Sequence, residues 1–88
     1  MPKIVVLEPT SLVLTAAEEF GKIVFISGHR FNLFNINDII ERTTSKLKII
    51  EYDSDKDFIC LTGNAQKVAI FLGAVVGVYS EFSLLIFD

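Results

Sequence analysis

Asp53, Asp55 and Asp57 alternate along the chain, the spacing with which the opening of a calcium loop places its carboxylates. Such a loop then requires glycine at its sixth position and a bidentate glutamate at its twelfth. Here those positions hold Phe58 and Asn64, so the aspartates read as a solvated tip and no metal site is expected. His29 and Arg30 follow an apolar run and Gly28, a loop suited to holding an anion. Catalysis by His29 would also need a partner to orient the ring and a substrate proton within reach, and the sequence offers neither. Thr62-Gly63-Asn64-Ala65-Gln66-Lys67 leads an apolar run into a helix start, where free amide groups and the helix dipole attract anions. Lys67 would add positive charge there. His29, Arg30, Gly63, Asn64 and Lys67 are therefore the candidate ligand- or anion-binding residues. The second glycine and the Lys-Ser/Thr pair of a P-loop are missing. Cys60 stands between Ile59 and Leu61, where burial raises a thiol's pKa and quiets it. No catalytic set emerges and no cofactor is implied.

The chain around these residues has 88 positions and one cysteine, enough for one domain over residues 1–88 and too few thiols for an internal disulfide. A lone thiol suits a reducing compartment, so a cytoplasmic location is expected. Hydrophobic residues make up 51% and charged residues 22%, with mean hydropathy +0.52, which excludes disorder. The net charge of −3 argues against nucleic acid as a partner. Sixteen of the nineteen charges lie in the first 57 residues; beyond them stand only Lys67, Glu81 and Asp88. Val68 to Phe87 is apolar enough to raise the question of a membrane span. Tyr79-Ser80-Glu81 interrupts it with an acid that is costly at depth, so a buried helix followed by a buried strand is expected instead. No secretory leader is read in the opening residues: the apolar run Ile4 to Leu7 is short and ends at Glu8-Pro9.

The elements that would position these residues follow from apolar periodicity and turn residues. Lys3 to Glu8 reads as a strand apolar on both faces and stopped by Pro9. Thr10 or Ser11 caps a helix to Phe20 ended by Gly21, or else Leu12 to Leu14 is a strand followed by a Thr15-x-x-Glu18 capping box. Lys22 to Ser27 is a second strand, and Phe31 to Phe34 a short extended piece. Asn35 or Asn37 then caps a helix to about Ser45 with Ile36, Ile39, Ile40 and Thr43 as its apolar stripe. Lys48 to Tyr52 and Phe58 to Thr62 flank the aspartate tip as a β-hairpin. A helix from Asn64 to Tyr79 and a strand from Phe82 to Phe87 complete the chain. From Lys22 the order is β-α-β-β-α-β, which predicts an α+β fold: a ferredoxin-like α/β sandwich with an additional N-terminal strand.

From Lys48 to Asp88 the pattern resembles the second half of bacterial microcompartment shell domains. The residues that carry this are Phe58-Ile59-Cys60-Leu61-Thr62-Gly63-Asn64, then Val68, and the closing Phe82 to Phe87. The resemblance implies a ferredoxin-like fold and self-assembly into hexameric tiles. The same strand–glycine–helix pattern is similar to KH-type RNA-binding domains, whose GXXG loop is absent here. Gly73 and Gly77 are one helical turn apart, and each costs about 1 kcal/mol against alanine in a helix interior. Something is therefore expected to pack close to them, either the domain's own sheet or a second subunit. In Val68 to Tyr79 no face is polar, so Phe71, Gly73, Val75, Gly77 and Val78 are the expected interface of a homo-oligomer. The function expected from the residues is a non-enzymatic self-assembling or scaffold module. The alternative is a regulatory module that binds a small ligand or protein.

Overall fold

A computed structural model describes residues 2–8, 18–28, 35–62 and 65–85. Its strands are β1 (Lys3–Val6), β2 (Lys22–Phe25), β3 (Phe58–Cys60) and β4 (Ser83–Leu85); its helices are α1 (Ile36–Ile49) and α2 (Ala65–Val78). All four strands are parallel and stand in the order β2-β1-β3-β4. The fold is thus a small arrangement of helices on a four-stranded parallel sheet. The register pairs Ile4 with Ile23 and Phe58, and Val6 with Phe25 and Cys60.

A parallel sheet needs a crossover between successive strands, which α1 supplies from β2 to β3 and α2 from β3 to β4. β1 has a neighbour on either side, and Ile4, Val5 and Val6 are fully buried. That is why its sequence is apolar at every position rather than at alternate ones. Val5, Leu7 and Ile59 form one core with Ile39 and Leu47 of α1 and Phe71 and Val75 of α2. Ile4, Val6 and Cys60 form a second cluster flanked by Ile23, Phe25 and Phe58. β2 begins against Pro2, whose carbonyl accepts from the Lys22 N–H at 2.9 Å. Gly21 permits that approach, because a Cβ there would run into the Pro2 carbonyl.

The parallel sheet replaces the ferredoxin-like sandwich, which requires antiparallel neighbours, and the additional N-terminal strand, β1, stands inside the sheet between β2 and β3. The difference traces to residues 48–52. They form no strand, and no hairpin joins them to β3. Ile39, Thr43 and Leu47 are buried at i, i+4, i+8 on one face of α1, and this stripe draws the helix past Ser45 to Ile49. Asp38 in its first turn and Lys46 and Lys48 in its last complement the helix dipole.

The helix ends in a Schellman motif. Tyr52 N–H donates to Leu47 O at 3.0 Å and Glu51 N–H to Lys48 O at 3.2 Å, while Tyr52 and Leu47 share the core. Glu51 takes the left-handed conformation, φ 56°, that glycine usually fills. After it, Asp57 turns inward and is 2% exposed. Its carboxylate accepts from Lys3 N and Asp53 N, both at 2.8 Å, and from Lys3 Nζ at 3.1 Å. One buried side chain thus ties the start of β1 to the loop that leads into β3.

Candidate functional site

The face of the helix layer turned away from the sheet carries an apolar groove of about 470 Å³ between α1 and α2. One wall is Ile36, Ile40 and Thr44 at successive turns of α1; the other is Ile70, Gly73, Ala74, Gly77 and Val78 of α2. The Thr44 hydroxyl donates back to the carbonyls of Ile40 and Glu41, both at 3.1 Å, so it is satisfied within its own helix. Ile36 is 48% exposed, Ile40 38% and Val78 49%; Val76, on α2 but not in the groove's lining, is 55% exposed. The Arg42–Asp38 pair, Nε to Oδ1 at 3.0 Å, lies on the same helix.

The two glycines open outward. A Cβ added at Gly73 or at Gly77 would meet nothing within 4 Å, so neither is needed for α2 to approach its own sheet. Phe71 and Val75 are fully buried in the core instead, which removes them from the expected interface: at their positions the helix faces inward. Ile36 and Ile40 were expected in the inward stripe of α1 and stand on the groove. The signal that separates them is the second register, Ile39, Thr43 and Leu47, which alone is buried.

Among the candidate anion-binding residues, His29, Arg30, Gly63 and Asn64 lie outside the described residues. Lys67 is described, and its charge is compensated. Its Nζ lies 3.1 Å from Glu8 Oε1 and 3.4 Å from Oε2, with side-chain exposures of 11% and 7%. An unpaired cation at the start of α2 is therefore replaced by a buried ion pair. No local pattern signals Glu8, because 59 residues separate it from Lys67. Cys60 is buried, and burial pushes its thiol up from the ordinary value. In the aspartate loop Asp57 faces Lys3 and the backbone, and Asp53 Oδ1 accepts from Asp55 N at 2.9 Å. Among the described residues no group of three His, Cys, Asp or Glu side chains converges to hold a metal. No described helix is long and apolar enough to cross a membrane. No protein-family model, curated protein or solved structure matches this chain, so what it does has to be read from its own residues.

Proposed function

We propose that this chain is a non-enzymatic, self-associating module in which a second copy seats its α2 on the groove between α1 and α2. The observation that supports this is the pair of open glycines in an apolar trough. Glycine inside a helix is destabilising, and among the described residues nothing lies within 4 Å of a Cβ built at either one. The surface is also complementary to itself. One chain carries both the shallow track of Ala69, Gly73 and Gly77 and the projecting Ile36, Ile40, Val76 and Val78, as a two-fold contact requires.

The four projecting side chains are each about half exposed. Burying the exposed half of each contributes about 1 kcal/mol, or about 8 kcal/mol over two copies. Lost freedom on association offsets at least about 4 kcal/mol of that. The remainder corresponds to a Kd of about 1 mM, tightened by whatever the close backbone approach at the glycines adds. Assembly at this face is accordingly concentration-dependent.

Sedimentation and light scattering from about 0.05 to 2 mM bracket that constant and should show the mass rising above 9.8 kDa. Gly73→Leu finds open space in its own fold and should leave the monomer intact while blocking the partner. A wild-type mass fixed at the monomer value over the whole range, or an assembly untouched by Gly73→Leu and Ile40→Lys, would end this reading.

A further inference from the structure

The amino edge of the sheet carries an open cavity of about 500 Å³, lined by Pro2, Lys3, Glu51, Asp53, Lys56 and Asp57. Lys3 opens β1, and Asp57 directly precedes β3. All the lining residues except Pro2 are charged, with acids and bases mixed.

The fold answers only part of this charge. Asp57, 2% exposed, spends its carboxylate on the Lys3 ammonium and on the Lys3 and Asp53 N–H groups. The Lys3 ammonium gives Asp57 one of its three N–H groups and keeps the others. Asp53 Oδ1 accepts from the Asp55 N–H at 2.9 Å. Asp53 Oδ2 and the Glu51 and Lys56 side chains have no partner among the described residues. The Tyr52 hydroxyl, which the charges of Asp57 and Asp53 reach, is buried without a partner as well. Polar groups that the fold leaves unanswered thus gather at this edge.

The loop that carries them is fixed. The Asp53 carbonyl accepts from the Lys56 N–H at 3.1 Å and from the Asp57 N–H at 2.8 Å. Glu51 holds the left-handed position at the end of α1, where glycine would make the same turn at less cost. A side chain stands there all the same, and it lines the cavity. Strain of this kind collects at ligand sites.

Charge decides what fits. A simple anion is repelled by the free carboxylates, and a simple cation by the ammonium groups. The three carboxylates do not converge to hold a metal ion. They outnumber the two ammonium groups by one, so a ligand with one carboxylate and two cationic groups balances the wall. From this we infer that the amino-edge cavity binds a free basic amino acid of the lysine or arginine type. Its carboxylate takes Lys3 and Lys56, and its two cationic groups take Glu51 and Asp53. The site shares no residue with the helix groove and does not depend on self-association there.

Calorimetric unfolding at one low protein concentration, with lysine, ornithine or arginine at about 10 mM, tests this. At least one should raise the midpoint by about 3 °C or more, since a ligand of the native state stabilises it. Norleucine, which lacks the second cation, and cadaverine, which lacks the carboxylate, should give no rise, nor should sodium chloride at the same concentration. Glu51→Gly should raise the midpoint without ligand and remove the response to it. Lys56→Met, at an exposed position, should weaken binding about threefold or more, read by titration calorimetry. No rise with any of the three basic amino acids overturns the inference, as does an equal rise with norleucine, cadaverine or salt. A response unchanged in Glu51→Gly or in Lys56→Met overturns it too.

Discussion

Replacing Asp57 with asparagine should destabilise this fold more than any exposed charge change. The carboxylate is 2% exposed and accepts three hydrogen bonds, two from backbone N–H groups and one from the Lys3 ammonium. Asparagine keeps one acceptor oxygen and turns an NH2 group toward the remaining donors, leaving at least one buried N–H unpaired. A hydrogen bond to an ionised group contributes about 1.5–3 kcal/mol, so the expected loss is about 3 kcal/mol. For a domain of this size that lowers Tm by about 12–24 °C.

The pH dependence carries its own sign. Burial alone would raise the Asp57 pKa; the bonds from Lys3 N–H, Asp53 N–H and the Lys3 side chain, with the Lys3 charge, overcome it and hold the carboxyl below its ordinary 3.8. Its stabilisation is complete above that value and is lost as pH falls through the lower folded value. The gap between wild type and Asp57→Asn, read from urea midpoints, should therefore be wide at neutral pH and close below about pH 4. Lys3→Met retains the backbone donor, and the Lys3 side chain is 29% exposed, so it should cost under about 1 kcal/mol. Near-wild-type stability of Asp57→Asn at pH 7 would refute this account. A Lys3→Met loss as large as that of Asp57→Asn would also do so.

The Tyr52 hydroxyl is buried without a partner, so Tyr52→Phe should gain up to about 1 kcal/mol at neutral pH while keeping the edge-on ring contact to Tyr79 at 4.9 Å. Burial first, then the charges of Asp57, Tyr79 and Asp53, push the Tyr52 phenol up to about 12 from 10.0. The folded state thus holds the proton longer, and stability present below pH 10 is lost as pH rises toward 12; alkaline unfolding should be less steep in Tyr52→Phe. Glu51→Gly should raise the unfolding free energy, read from urea midpoints, by about 0.5–1 kcal/mol, because relief of the left-handed strain at φ 56° outweighs the added freedom of the unfolded glycine. A decrease would show that the Glu51 side chain contributes more than its backbone costs.

Short apolar runs announce the strands. Ile4 to Val6, Ile23 to Phe25 and Phe58 to Cys60 are continuous apolar runs, and all three lie in strands, though β2 is an edge strand of which no residue is buried. Lys48 to Tyr52 misleads because isoleucine and tyrosine favour strands locally, whereas Leu47 is held by a helical stripe that starts at Ile39. The Schellman motif there is hard to read from sequence because a glutamate occupies the glycine position. With the hairpin lost, every pairing among the described strands is parallel, so one misread segment changes the arrangement within the α+β class. The glycine pair of α2 is legible in the sequence as a departure from helix propensity, and the structure leaves both positions open. Its groove is not legible, because Ile36 and Ile40 belong to another helix and look like core. Glu8 is invisible as the partner of Lys67 for the same reason: long-range pairing leaves no local trace.

The position of β1 between β2 and β3 also sets the order in which the molecule can be assembled. Lys3 and its partner Asp57 are 54 residues apart. At typical synthesis rates of 5–20 residues per second, about three to ten seconds pass before the far side of β1 acquires a strand. During that interval an apolar strand has a neighbour on one edge only, which is the condition under which nascent chains pair with one another. The loop closed by β1 and β3 must also be formed before its contacts reward it. Folding of this short chain is therefore expected to be slow for its length, with synthesis at high density favouring contacts between neighbouring nascent chains.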